Sequence, residues 1–163
     1  MEKVFGSSSI ALCTRIRLLK CYVWSTMLYG CESWTISQAM ERRIMAAEMW
    51  LLRRMLKIRW TDKVTNKEVL RRGHTERGLL QTIVTRQISF LGHVMRKDKL
   101  EALVLMGKID SKRGRGRPRL NYMTWMEKAT GYKPISLMKM LRDRKENDVM
   151  TVANAKIFAR QPD

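Results

Sequence analysis

The stretch Ser37-Gln-Ala-Met-Glu-Arg-Arg-Ile-Met-Ala-Ala-Glu-Met-Trp-Leu-Leu-Arg-Arg-Met-Leu-Lys-Ile58 decides the fold. Placed at 100° per residue, Met40, Ile44, Ala47, Leu51, Met55 and Ile58 share one stripe. Met45, Met49, Leu52 and Leu56 make a second stripe on the far side, and between the two run Arg42, Arg43, Arg53, Arg54 and Lys57 with Trp50 among them. The spacing predicts a helix that packs on two sides and shows one cationic face. That face reads either as a solvated surface, with Trp50 resting on arginine stems, or as a phosphate-contacting face whose indole stacks on a base or sugar.

Working outward, the same period recurs. From Leu12 to Tyr29 apolar residues surround the chain, with Leu12, Ile16, Leu19, Val23 and Met27 on one side and Cys21, Trp24 and Leu28 on another, as in a helix at the middle of a bundle. Thr65-Asn-Lys-Glu68 fits a capping box and predicts a short helix through Arg72. Gly78 to Lys97 predicts a helix with Leu80, Val84, Ile88, Leu91 and Met95 toward the core and Arg86, Ser89, His93 and Arg96 opposite. His93 there has mainly arginine neighbours and no carboxylate to orient it for acid–base work. Gly92 costs a helix about 1 kcal/mol relative to Ala and predicts a close packing contact or a weak point. Tyr122, Trp125, Met126 and Ala129 follow helical spacing and read as core, Gly131 and Pro134 break the chain, and Ile135 to Arg160 reads as one or two weaker, polar helices.

The fold class expected is therefore mainly α: a small helical bundle with a flexible basic Gly/Arg loop and a weakly structured helical tail. The layout is an irregular segment over 1–11, the bundle over 12–106, the loop over 107–120 and the C-terminal helices over 121–163.

The charge points to a partner. The 163 residues carry 33 Lys+Arg against 15 Asp+Glu, a net charge of +18, while 45% are hydrophobic. A folding chain so one-sided attracts polyanions, DNA and/or RNA first and an anionic membrane surface second. The longest uncharged run, Cys21 to Cys31, falls well short of the ~20 apolar residues of a membrane span, and no secretory leader pattern opens the chain. The expected location is intracellular and, given the partner, nuclear. Cys13, Cys21 and Cys31 read as buried thiols rather than disulfides, and with only His74 and His93 beside them no zinc-ligand spacing is formed. No metal, cofactor or small-molecule ligand is expected.

Residues 108–119 concentrate the charge, with six basic side chains against one acidic. In Lys112-Arg113-Gly114-Arg115-Gly116-Arg117-Pro118-Arg119, glycine between arginines removes bulk that would keep the backbone out of a narrow groove, where inserted Arg is favoured. Arg115-Gly116-Arg117-Pro118 resembles an AT-hook, with Gly114 where that motif often has proline; the alternative is an arginine-rich loop that binds any polyanion through counterion release. No phosphate-binding loop, metalloprotease or nucleophile-elbow motif accompanies it. Asp62, Asp98, Asp110, Asp143 and Asp148 are too scattered to hold two metal ions.

Five blocks in order carry a resemblance: Leu28-Tyr-Gly-Cys-Glu-Ser-Trp34, Met49 through Asp62, Val64-Thr-Asn-Lys-Glu-Val-Leu70, Phe90-Leu-Gly-His-Val-Met-Arg96, and Gly107-Lys-Ile through Arg-Gly-Arg-Pro-Arg119. Together they resemble the carboxy-terminal part of LINE-type (non-LTR) retrotransposon endonuclease/reverse transcriptases. The resemblance spans about residues 12–126 and implies a thumb-like and post-thumb helical segment that grips primer–template or target DNA. In that family the polymerase palm, with its Tyr-x-Asp-Asp turn, and the endonuclease lie upstream. Neither is in this sequence, so it implies no catalytic centre here and a further partner in the missing palm. Lys112, Arg113, Arg115, Arg117 and Arg119 are the expected phosphate contacts, supported by Arg53, Arg54, Lys57, Arg86 and Arg96. Two other readings are a protein-interaction module, whose orphaned helical face is rich in the chain's 13 methionines, and a domesticated AT-hook-like DNA-binding protein.

Overall fold

The apolar period that starts at Leu12 folds as a helix. In the computed structural model, which describes residues 5–7, 9–97, 100–105, 121–144 and 149, α1 spans Leu12–Leu18. It continues without a break through a π-helical stretch, Leu19–Trp24, into a last α turn, Ser25–Met27. Ser25 and Thr26 hydroxyls donate back to the Cys21 and Tyr22 carbonyls at 2.6–3.0 Å. The all-round apolar pattern leads one to expect burial on every side, but α1 lies at the bundle's margin. Ile16, Leu19, Trp24 and Leu28 are buried, while Tyr22 is exposed. Cys13 and Cys21, expected as buried thiols, are also exposed; only Cys31 is enclosed, and burial there pushes its thiol pKa up.

Helix α2, Gln38–Met55, starts where the Ser37 hydroxyl accepts the Met40 N–H at 3.2 Å. Its buried positions are Ile44, Glu48, Met49, Leu52 and Met55, one broad arc lying between the two expected stripes. Met40 is exposed, and Ala47 and Leu51 sit half-buried on the shoulder of that arc. The helix stops short of Ile58 because Lys57 turns left-handed at φ 57° and the Ile58 N–H returns to the Arg53 carbonyl at 3.0 Å.

Helix α3, Asn66–Gly73, begins at Thr65, whose side chain accepts the Glu68 N–H. Only that half of the capping box forms. The Glu68 carboxylate turns to Arg71 and Arg72, 2.7–2.8 Å away, and their hydrogen bonds hold its pKa down at about 2.

Helix α4, Leu79–Lys97, is the hub. Its predicted core side, Leu80, Val84, Ile88, Leu91 and Met95, is buried throughout, and Gly92 is buried with it. It packs against α2, the 3-10 turn Cys31–Ser33, α5 (Leu100–Leu105) and, farther along the chain, α7 (Pro134–Arg142). Helix α6, Tyr122–Thr130, is capped by Asn121 and buries Tyr122, Trp125, Met126 and Ala129 as predicted. Gly131 ends it in a left-handed turn, and Pro134 opens α7 with its fixed φ. Leu137 and Leu141 are fully buried, so this part of the expected weak tail belongs to the main core. The described residues contain helices and no strand. The Gly/Arg loop and the rest of the expected tail, Val149 apart, lie outside the described residues.

Candidate nucleic-acid interface

The outward side of α2 and the turn after it interleave aromatic rings with cations. Trp50 is 59% exposed and Trp60, in the 3-10 turn Trp60–Asp62, is 88% exposed. The Arg54 guanidinium lies over the Trp50 ring, 5.6 Å from its centroid, a cation–π contact that holds both side chains at the surface. Arg42, Arg43, Lys57, Arg59 and Lys63 are exposed nearby in sequence.

The acidic residues of this segment are committed elsewhere. Glu41 pairs with Lys128 of α6 at 3.0 Å, the Asp62 carboxylate accepts the Arg59 N–H at 2.8 Å, and Glu48 is buried. Residues 37–63 carry seven basic against three acidic side chains, so the outward field is positive.

The structure divides the expected supporting residues. Arg54 and Lys57 stay on the exposed side. Arg53 turns toward α3 and donates to the Val64 carbonyl at 2.7 Å and Asn66 Oδ1 at 3.0 Å. Arg86 is half-buried and donates to the Leu28 carbonyl at 3.5 Å. Arg96, at the end of α4, donates to the Leu141 carbonyl at 3.3 Å. The five therefore do not make one face: three of them join separate pieces of backbone. Lys112, Arg113, Arg115, Arg117 and Arg119 lie outside the described residues.

Two buried polar residues escaped the sequence reading, and one of them, Glu48, anchors α2 itself. Glu48, 3% exposed, accepts the N–H groups of Gly78 at 2.8 Å and Leu79 at 3.1 Å, fixing the start of α4 against α2 with a carboxylate at a helix N-terminus. Gln87 is fully buried between α4, the 3-10 turn and α6. The signal for each is a polar residue in a core register: Glu48 stands four residues after Ile44 and four before Leu52, and Gln87 lies between Val84 and Ile88.

Glu48 yields a pH-dependent prediction. Burial raises its pKa against the opposing pull of the Gly78 and Leu79 amides, Arg77 and Lys20. A folded-state pKa above the unfolded one means that the folded chain binds the extra proton, so Glu48 should add stability as pH falls through that raised value toward the ordinary carboxyl range. Glu48→Gln keeps an accepting oxygen and should remove this pH dependence at little cost. Glu48→Ala, which orphans two amides, should cost about 1–3 kcal/mol in urea denaturation. Equal midpoints for Gln and Ala variants would refute the capping role.

Two apolar cavities line the side of α2 that faces α1. One, of about 570 Å³, is bordered by Met27, Trp34, Ile36, Met40, Arg43 and Ile83 among others. The second, of about 520 Å³, lies between the π-helical stretch and the end of α2. Among the described residues no group of His, Cys, Asp and Glu is arranged to hold a metal ion, and no helix is long and apolar enough to cross a membrane. Comparison with protein-family models, curated proteins and solved structures finds no match.

Proposed function

We propose that this chain is a nucleic-acid-gripping module, corresponding to the thumb and post-thumb region of a non-LTR retrotransposon RNA-directed DNA polymerase. It has no catalytic centre of its own and holds DNA or RNA for chemistry performed by a palm domain. The observation that carries the reading is that Trp50 and Arg54 on α2 and Lys57, Arg59 and Trp60 in the chain just after it stand exposed, while the three carboxylates of the segment are buried, paired or hydrogen-bonded. A surface that is merely solvated has no need to place two indoles in water beside cations, whereas a phosphate backbone with bases or sugars matches both chemistries. The order of the five sequence blocks and the arginine loop agree with it.

The test is fluorescence anisotropy of a labelled duplex with the full chain. Several neutralised phosphates should weaken binding about 10³-fold between about 50 and 200 mM salt. A flat salt dependence would refute the proposal.

A further inference from the structure

The second cavity lies beside the face just described. Its walls are Leu19 and Val23 from the π-helical stretch, Phe5, and Leu51 and Met55 from α2, with Trp50 and Arg54 along its edge. Among the described residues the lining is mostly apolar side chain, with Gly6 and the Arg54 guanidinium the exceptions. What it offers is an indole surface, a guanidinium already stacked on that indole, and space of about 520 Å³. A π-helical stretch inside an α-helix is a frequent feature of functional sites, and here it supplies one wall.

Resting on the nucleic-acid reading above, we propose that this cavity receives one unpaired nucleobase, stacked on Trp50 with its phosphate toward Arg54, so that the chain prefers single-stranded or flipped nucleic acid at this point. A paired base cannot enter, because its faces are covered by its neighbours in the duplex and extruding it costs unstacking energy. A single strand presents free faces, and stacking accepts any base because each has a π-face. The field around the slot selects the occupant. With seven basic and three acidic side chains over residues 37–63, and Glu48 buried, Glu41 paired and Asp62 accepting a backbone N–H, a polyanion is favoured over an apolar peptide. Trp60 is more exposed than Trp50 but is not among the residues lining the cavity. Trp24 and Trp125 are buried in the core.

The experiment compares oligo(dT) with a duplex of equal length, using the full chain and its Trp50→Ala, Trp50→Phe and Val23→Phe variants. Far-UV circular dichroism serves as the folding check. Trp50→Ala should weaken oligo(dT) binding about tenfold and duplex binding by a clearly smaller factor, the smaller loss being what Trp50 and the Arg54 stacked on it contribute to the exposed face. Trp50→Phe should recover most of the affinity. Val23→Phe, which fills the slot and leaves Trp50 in place, should reproduce the single-strand loss and keeps the test decisive if Trp50→Ala fails to fold. Equal losses on both ligands, or no loss on oligo(dT), would overturn the base slot while leaving nucleic-acid binding intact, and the second of these results would fit a peptide groove. A wild-type chain that binds neither ligand would overturn the underlying reading as well.

Discussion

Replacing Gln87 by Leu is expected to destabilise the chain by about 3–4 kcal/mol, although the two side chains are close in size, because an indole N–H and a carbonyl lose their partner together. Gln87 Nε2 donates to the Cys31 carbonyl at 2.8 Å and the Trp34 carbonyl at 2.9 Å, and its Oε1 accepts the Trp125 indole N–H at 2.8 Å. Cys31 O keeps a second bond, from the Trp34 N–H, so the main penalty falls on the Trp125 N–H and the Trp34 carbonyl. Small domains are stable by about 5–15 kcal/mol in total, so the loss removes a large share of the margin. Urea denaturation followed by tryptophan fluorescence should show a midpoint lower by about 1.5–2 M for a slope near 2 kcal/mol/M. The added change Trp125→Phe deletes the orphaned donor, so the double variant should be less destabilised than the sum of the singles. A Gln87→Leu variant within about 0.5 kcal/mol of wild type would show that the network contributes little.

The same residue shows where the sequence was legible. The helical period correctly located the core side of α4 and four of the six buried positions of α6, because burial of an amphipathic face follows from spacing alone. It also gave the beginnings of α2 and α3, where Ser37 and Thr65 cap from within the local chain. What it missed depends on contacts distant in sequence. Nothing near Arg53, Arg86 or Arg96 in the chain reveals that each guanidinium meets a carbonyl 11 to 58 residues away, so a helical wheel counts all three as outward charge. Lys57 shows a local limit of another kind: glycine is the usual residue for a left-handed helix end, and a lysine there gives no sign that α2 stops at Met55. The π-helical stretch in α1 likewise has no compositional mark. The aromatic character of the candidate site was legible at Trp50, while the exposure of Trp60 and the internal commitment of Glu41, Glu48 and Asp62 needed the fold.

These commitments define the second large effect. Changing Arg113, Arg115, Arg117 and Arg119 together to Ala is expected to reduce the slope of log affinity against log salt by about 3 to 4, since each neutralised phosphate contributes about 0.9. Near 50 mM salt that corresponds to a loss on the order of 10²-fold relative to 200 mM, where the two chains should bind more nearly alike. The helix face should contribute separately, with Arg54→Ala and Lys57→Ala together lowering the slope by about 2. Arg53→Ala is the control: its guanidinium serves the Val64 carbonyl and Asn66, so it should lower the denaturation midpoint and leave the slope alone. If Arg53→Ala flattens the slope as much as the Arg54 and Lys57 pair, the division between scaffold and phosphate-facing arginines is wrong. If the four-arginine variant keeps the wild-type slope, the loop does not touch phosphate. Comparing A·T-rich with G·C-rich duplex then separates the two loop chemistries. Equal loss on both means charge neutralisation, the outcome that Gly114 in place of the hook's proline favours, and loss confined to A·T-rich DNA means that the arginines enter a narrow minor groove.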